Sequence, residues 1–279
     1  KYYRNVIKYR TKDKYSYARF WQPIEPALKN RTTVYLSADG VYNQLNPETF
    51  RKEDNTFLID DYTFYSVSNT KDLVIKAESP AQPYLAKEVA MFGNPAFGST
   101  GDSTLQANNA SSNRISSVEP LPGAEEEVKT LSNILNENKW QTQMYLTTEA
   151  TETEVKRMNN PRVVHVATHG FFVEEDQLED AATENENMPV DNPLLKSGLL
   201  FAGADELLAE DNIFRVNKKE GVLTAYEAMN FTLDNTELVV LSACETGLVE
   251  VKSGEGVYGL QRSFLVAGAQ NVIMTLFKV

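Results

Sequence analysis

Leu238-Val239-Val240-Leu241-Ser242-Ala243-Cys244-Glu245-Thr246-Gly247 contains the only cysteine of the chain. Its apolar, β-branched start predicts a buried strand, and Gly247 predicts a turn just past the cysteine. An earlier stretch, Val163-Val164-His165-Val166-Ala167-Thr168-His169-Gly170, repeats the design and sets a histidine at the same kind of edge. In an open parallel α/β sheet, reacting groups gather outside the carboxyl ends of the strands. One edge ending in a thiol and another in an imidazole therefore suggest a nucleophile and its base.

Around these two strands the second half of the chain alternates β and α patterns. Leu121-Pro122-Gly123-Ala124-Glu125 opens a helix with acids in its first turn, and Val128, Leu131, Ile134 and Leu135 form its apolar face. A short strand near 143–146, a helix near 151–158, a helix near 223–229, a helix near 257–267 and an apolar run at 271–277 follow the same rhythm. That alternation argues for a parallel sheet with helices on its faces.

The first half reads differently. Tyr17, Phe20, Trp21, Ile24 and Leu28 recur at spacings of three and four, predicting a helix over about 13–30 despite Pro23 and Pro26. Thr33–Leu36, the Asp39-Gly40 turn signal and Val41–Leu45 predict a hairpin. Phe57–Ile59 and Ala90–Phe92 are further strand candidates, the latter ending at Gly93-Asn94-Pro95. Residues 98–118, rich in Ser, Asn, Gly and Thr, predict a linker dividing the chain into halves, 1–118 and 119–279. The acidic tract 174–187 predicts a loop, read either as a lid over the site or as an exposed insertion.

Composition narrows the classes. With 279 residues, 42% of them hydrophobic, the chain can bury a substantial core. A net charge of −12 argues against a nucleic-acid-binding surface. One cysteine excludes an internal disulfide and fits a reducing compartment, so a cytoplasmic location is expected. No apolar run approaches the ~20 residues of a membrane span. The chain starts at Lys1 rather than at a methionine, which predicts an upstream portion.

A neutral thiol is a weak nucleophile that a neighbouring imidazole converts to thiolate. The developing oxyanion needs donors, and the backbone N–H groups of Gly170 and Cys244 are the candidates. Each residue also has a plainer reading, since a lone cysteine is among the most buried residue types. His165, inside its apolar run, reads as a core residue, whereas His169 at the strand end is the better base. A metal site is not expected, because Cys244 is the sole thiol and no carboxylate has ligand spacing. Gly254-Glu255-Gly256-Val257-Tyr258-Gly259 matches a dinucleotide fingerprint by pattern, but it does not follow directly on a strand, so no cofactor is expected.

Taken together, Ala167–Gly170, Asn192–Gly198, Leu241–Gly247, Gly254–Phe264 and Ala267–Leu276 resemble the CHAT domain, a family of caspase-like cysteine peptidases commonly fused to tetratricopeptide repeats in bacteria. The likeness is dense over about 120–279 and weaker through Tyr35–Gln44. It implies a caspase-type α/β/α sandwich, Cys244 and His169 as the catalytic dyad, and an inactive protease-like portion at 1–118. A protein or peptide substrate and a regulatory partner acting through upstream repeats are likewise implied. Family members usually carry tryptophan where Phe277 stands and continue past Val279, so a further segment is expected beyond it. In the related metacaspases an acid two positions before the cysteine helps bind basic side chains. Ser242 stands there in this chain, with Glu245 and Asp191 as candidate substitutes. The competing reading is a non-catalytic interaction module that keeps the fold.

Overall fold

The computed structural model describes residues 2–38, 40–67, 69–71, 73–74, 86–98, 118–172, 193–195, 197–205, 221–245 and 255–274. Two compact units divide at Pro83 and Tyr84. The boundary thus precedes the Ser/Asn-rich stretch, because the strand Glu88–Pro95 belongs to the large sheet of the second unit. Most of 98–118 and all of the acidic tract 174–187 lie outside the described residues.

In the first unit, α1 (Tyr2–Lys8) is followed by a π turn at Tyr17–Trp21 and a 3-10 turn at Glu25–Leu28. These two turns replace the single helix expected there. Pro23 and Pro26 lack the N–H groups a continuous helix would use, so Trp21 is buried while Ile24 is exposed. The expected hairpin is also absent. β1 (Thr33–Leu36) pairs in parallel with β2 (Thr63–Ser66), and Gly40–Gln44 forms a 3-10 turn. The Tyr42 hydroxyl donates to the Phe20 carbonyl, which draws that segment away from β1. Phe57–Ile59 is not a strand either. Leu58–Asp60 is a 3-10 turn whose Asp60 accepts from the Phe57 amide, with Leu58 buried and Ile59 exposed.

The second unit is built on a seven-stranded sheet. Its elements run β3 (Glu88–Pro95), α2 (Pro122–Glu137), β4 (Gln141–Thr147), α3 (Glu152–Lys156) and β5 (Val163–Phe172). Then come β6 (Ser197–Leu200), β7 (Val222–Thr224), α4 (Ala225–Ala228), β8 (Leu238–Glu245), α5 (Glu255–Val266) and β9 (Val272–Met274). The expected helix at 223–229 thus begins only at Ala225, because Val222–Thr224 pairs with β6 as a strand. Strands β4, β3, β5, β8 and β9 lie side by side and parallel. The antiparallel pair β6–β7 joins the C-terminal end of β5.

Strand alternation sorts side chains to two faces. Val89, Met91 and Ala167 pack with Val128 under α2. Ala90, Phe92, Val164, Val166, Val239 and Leu241 form the opposite core with Leu260 and Phe264 of α5. The result is a three-layer α/β/α sandwich with a mostly parallel sheet. Gly93 sets the approach of α2. A Cβ there would fall 2.8 Å from Val128 Cγ2 and 2.9 Å from the Ala124 carbonyl oxygen. No described helix is long and apolar enough to cross a membrane.

Candidate active site

The apolar starts of β5 and β8 make them central, adjacent strands, in register from Val163 beside Leu238 to Gly170 beside Glu245. That register sets His169 beside Cys244 and Ala167 beside Ser242. Alternation assigns positions 165, 167 and 169 of β5, and 242 of β8, to the face covered by α2. The backbones of neighbouring parallel strands are roughly 4.8 Å apart in the hydrogen-bonding direction. The two sequence-predicted residues, 75 positions apart in number, therefore occupy neighbouring backbone sites.

His169 is buried, and its Nε2 lies 2.8 Å from the backbone carbonyl oxygen of Glu119. A carbonyl only accepts, so Nε2 carries the ring proton in the neutral form and Nδ1 holds the free lone pair. Nδ1 is buried and has no hydrogen-bond partner among the described residues. The ring also rests against Phe97, with centroids 5.1 Å apart. Burial lowers the His169 pKa from its ordinary 6.5, and the Glu119 carbonyl opposes that shift only in part. The imidazole is thus neutral at pH 7, with an acceptor nitrogen available as a base.

Two side chains hold the segment that carries Glu119. The Val118 amide donates to Asp205 Oδ1 at 2.8 Å, and the Leu121 amide donates to Asn94 Oδ1 at 2.8 Å. Asn94 sits at the end of β3 with φ of 47°, a left-handed conformation that asparagine tolerates. Its Nδ2 donates in turn to Glu125 of α2. Sequence reasoning missed all three residues. Glu119 contributes through its backbone, which leaves no residue-type signature, and Asp205 is distant in sequence. Asn94 did leave one trace, as a turn-former at a strand end.

Ser242 is committed to an internal contact, donating to Glu127 Oε2 at 3.1 Å. The other oxygen, Glu127 Oε1, lies 2.9 Å from His165 Nε2, without hydrogen-bond alignment. His165 is the buried strand residue that its apolar setting predicts. Burial lowers its pKa, against the opposing pull of Glu127. Sequence reasoning treated Glu127 only as an acid near a helix start.

Gly170 pairs with Leu199 of β6 on one side and Glu245 of β8 on the other. A Cβ at Gly170 would meet only ordinary contacts, the nearest at 3.6 Å, so internal packing does not demand glycine there. Glu245 ends β8. Asp191 lies outside the described residues, as does Gly254, while the remainder of the glycine pattern falls in the first turns of α5. Among the described residues no three His, Cys, Asp or Glu side chains converge as a metal site.

The family model for the CHAT domain matches residues 16–279. No curated protein matches the chain.

Proposed function

Because this chain belongs to the CHAT domain family, we propose that it is a cysteine endopeptidase acting on a protein or peptide through Cys244 and His169. The observation that supports this reading best is the alignment of His169 with Cys244 on adjacent parallel strands, with Nε2 engaged by Glu119 and Nδ1 left as an acceptor. In the proposed cycle the thiol proton passes to Nδ1 and the thiolate attacks the scissile carbonyl. The backbone N–H of Cys244 serves the oxyanion, and the bare Cα of Gly170 leaves the approach unobstructed. The intermediate collapses as the C–N bond breaks and His169 returns the proton to the leaving amine. Water then opens the thioester, giving up one proton to His169, which returns it to the departing thiolate, and the acid product releases its remaining proton to solvent as a carboxylate.

Control by a partner acting through repeats elsewhere in the full protein, and a cytoplasmic setting, complete the proposal. The test compares the full-length protein with its Cys244→Ala and His169→Ala variants against a peptide library. Cleavage by the parent alone is expected. Equal cleavage by all three would sink the assignment.

A further inference from the structure

Glu127 is the one described residue whose carboxylate reaches both dyad-bearing strands from outside the sheet. Its Oε2 accepts from Ser242 on β8, and its Oε1 lies against His165 on β5. Ser242 is two residues before Cys244, and His165 is four before His169. At ~3.3 Å per residue these contacts sit about 7 and 13 Å below the reacting ends. That distance is too long for Glu127 to touch a substrate carbonyl at the strand ends and short enough to govern how those ends are set. The helix that carries it is firmly seated, since Val128, the next residue, is fully buried against Val89, Met91 and Ala167. No lysine or arginine among the described residues pairs with Glu127. Its carboxylate is thus committed to the two strands rather than to a surface ion pair.

We infer that Glu127 is a positioning residue, a tether from α2 that holds β8 against β5 through Ser242 and His165 and so sets Cys244 relative to His169. The inference rests on the dyad reading above. An unsatisfied tether matters because misplacement by about 1 Å costs on the order of 100-fold in a reaction that depends on orientation. The carboxylate suits this place because one oxygen accepts from Ser242 while the other approaches His165 to 2.9 Å.

The test exploits the single cysteine of the chain. Iodoacetamide alkylation of the full-length protein, quantified by mass spectrometry on the peptide that contains Cys244 from pH 5 to 9, reads thiolate formation without a known substrate. In the parent, alkylation should persist well below the ~8.5 of a free thiol. His169→Ala should slow it at least about tenfold at pH 7 and move the profile toward a free thiol. Glu127→Ala and Ser242→Ala should each slow it about five- to tenfold with the same direction of shift. Glu127→Gln keeps an acceptor oxygen for Ser242 and should recover most of the rate, which a change of charge alone would not. Thermal melting runs alongside, and if Glu127→Ala does not fold, Ser242→Ala and Glu127→Gln carry the test. Parent-like rates in Ser242→Ala or Glu127→Ala, or Glu127→Gln as slow as Glu127→Ala, would overturn the tether while leaving the dyad intact. A parent-like rate in His169→Ala would instead remove the dyad, and the tether with it.

Discussion

His169 Nε2 meets the backbone carbonyl oxygen of Glu119 at 2.8 Å, and that one contact fixes which nitrogen of the ring is a base. Because the acceptor is main chain, replacing Glu119 does not remove it. Glu119→Ala should keep the proposed peptidase activity within about threefold of the parent, as a surface change that spares the bond. Asp205→Ala removes the acceptor of the Val118 amide and should cost about 1–3 kcal/mol of stability. Its activity should fall further than its melting temperature implies, since the Glu119 carbonyl loses its setting. Steady-state rates beside melting curves decide this, and the reverse ranking of the two variants would refute it.

The two histidines predict how the protein answers acid. Burial lowers the pKa of both His165 and His169 below 6.5. The unfolded chain then binds more protons than the folded one as pH falls through 6.5, so stability rises with pH there. The stabilisation is fully present above 6.5 and is lost as pH drops toward the lowered folded values. Urea midpoints should therefore decline from pH 7 to pH 5, and His165→Gln should flatten that decline. On the same grounds the acid limb of activity should lie below 6.5, as measured by kcat/KM against pH.

Gly93 tests the seating of α2. Gly93→Ala places a methyl 2.8 Å from Val128 Cγ2 and 2.9 Å from a backbone oxygen, and the latter cannot rotate away. Overpacking of this kind typically costs about 1–3 kcal/mol, so a clear drop in melting temperature is expected. An unchanged melting temperature would show that α2 can shift freely.

Glu152 anchors the far end of the sheet. It is buried, its Oε2 accepts from the Gly221 and Val222 amides at 2.9 and 3.1 Å, and Lys156 pairs with its other oxygen. Glu152→Ala strands two amides and loosens Lys156, which also pairs with Glu227. Leaving a buried amide without its acceptor costs about 1–3 kcal/mol, and here two are left. Lys156→Ala should cost less, because that side chain is half exposed and the two amides keep their acceptor. Chemical denaturation of both variants checks the order.

Much of the second unit was legible because its signals are local. The runs at 163–170 and 238–245 are apolar and β-branched, and the helix at 122–137 has its Pro near the start and packs Val128, Leu131 and Leu135 inward, though Ile134 is exposed. The β/α rhythm accounts for the five parallel strands and not for the antiparallel pair β6–β7. The first unit was less legible. Thr33–Leu36 was recognisable as a strand, but its partner lies thirty residues on at Thr63–Ser66, and a turn signal at Asp39-Gly40 pointed to the nearer neighbour. Periodicity states that an edge needs a partner and not which one.

The sequence by itself determined the residue types of the proposed dyad, the strands that carry them and the family to which the chain belongs. Only the tertiary structure decided that His169 aligns with Cys244 in register, that a carbonyl at Glu119 orients the ring, and that Glu127 reaches both strands. The physical reason is range. Strand propensity and apolar patterning act over a few residues, whereas register, a main-chain acceptor and a carboxylate arriving from a helix depend on which distant segments pack together.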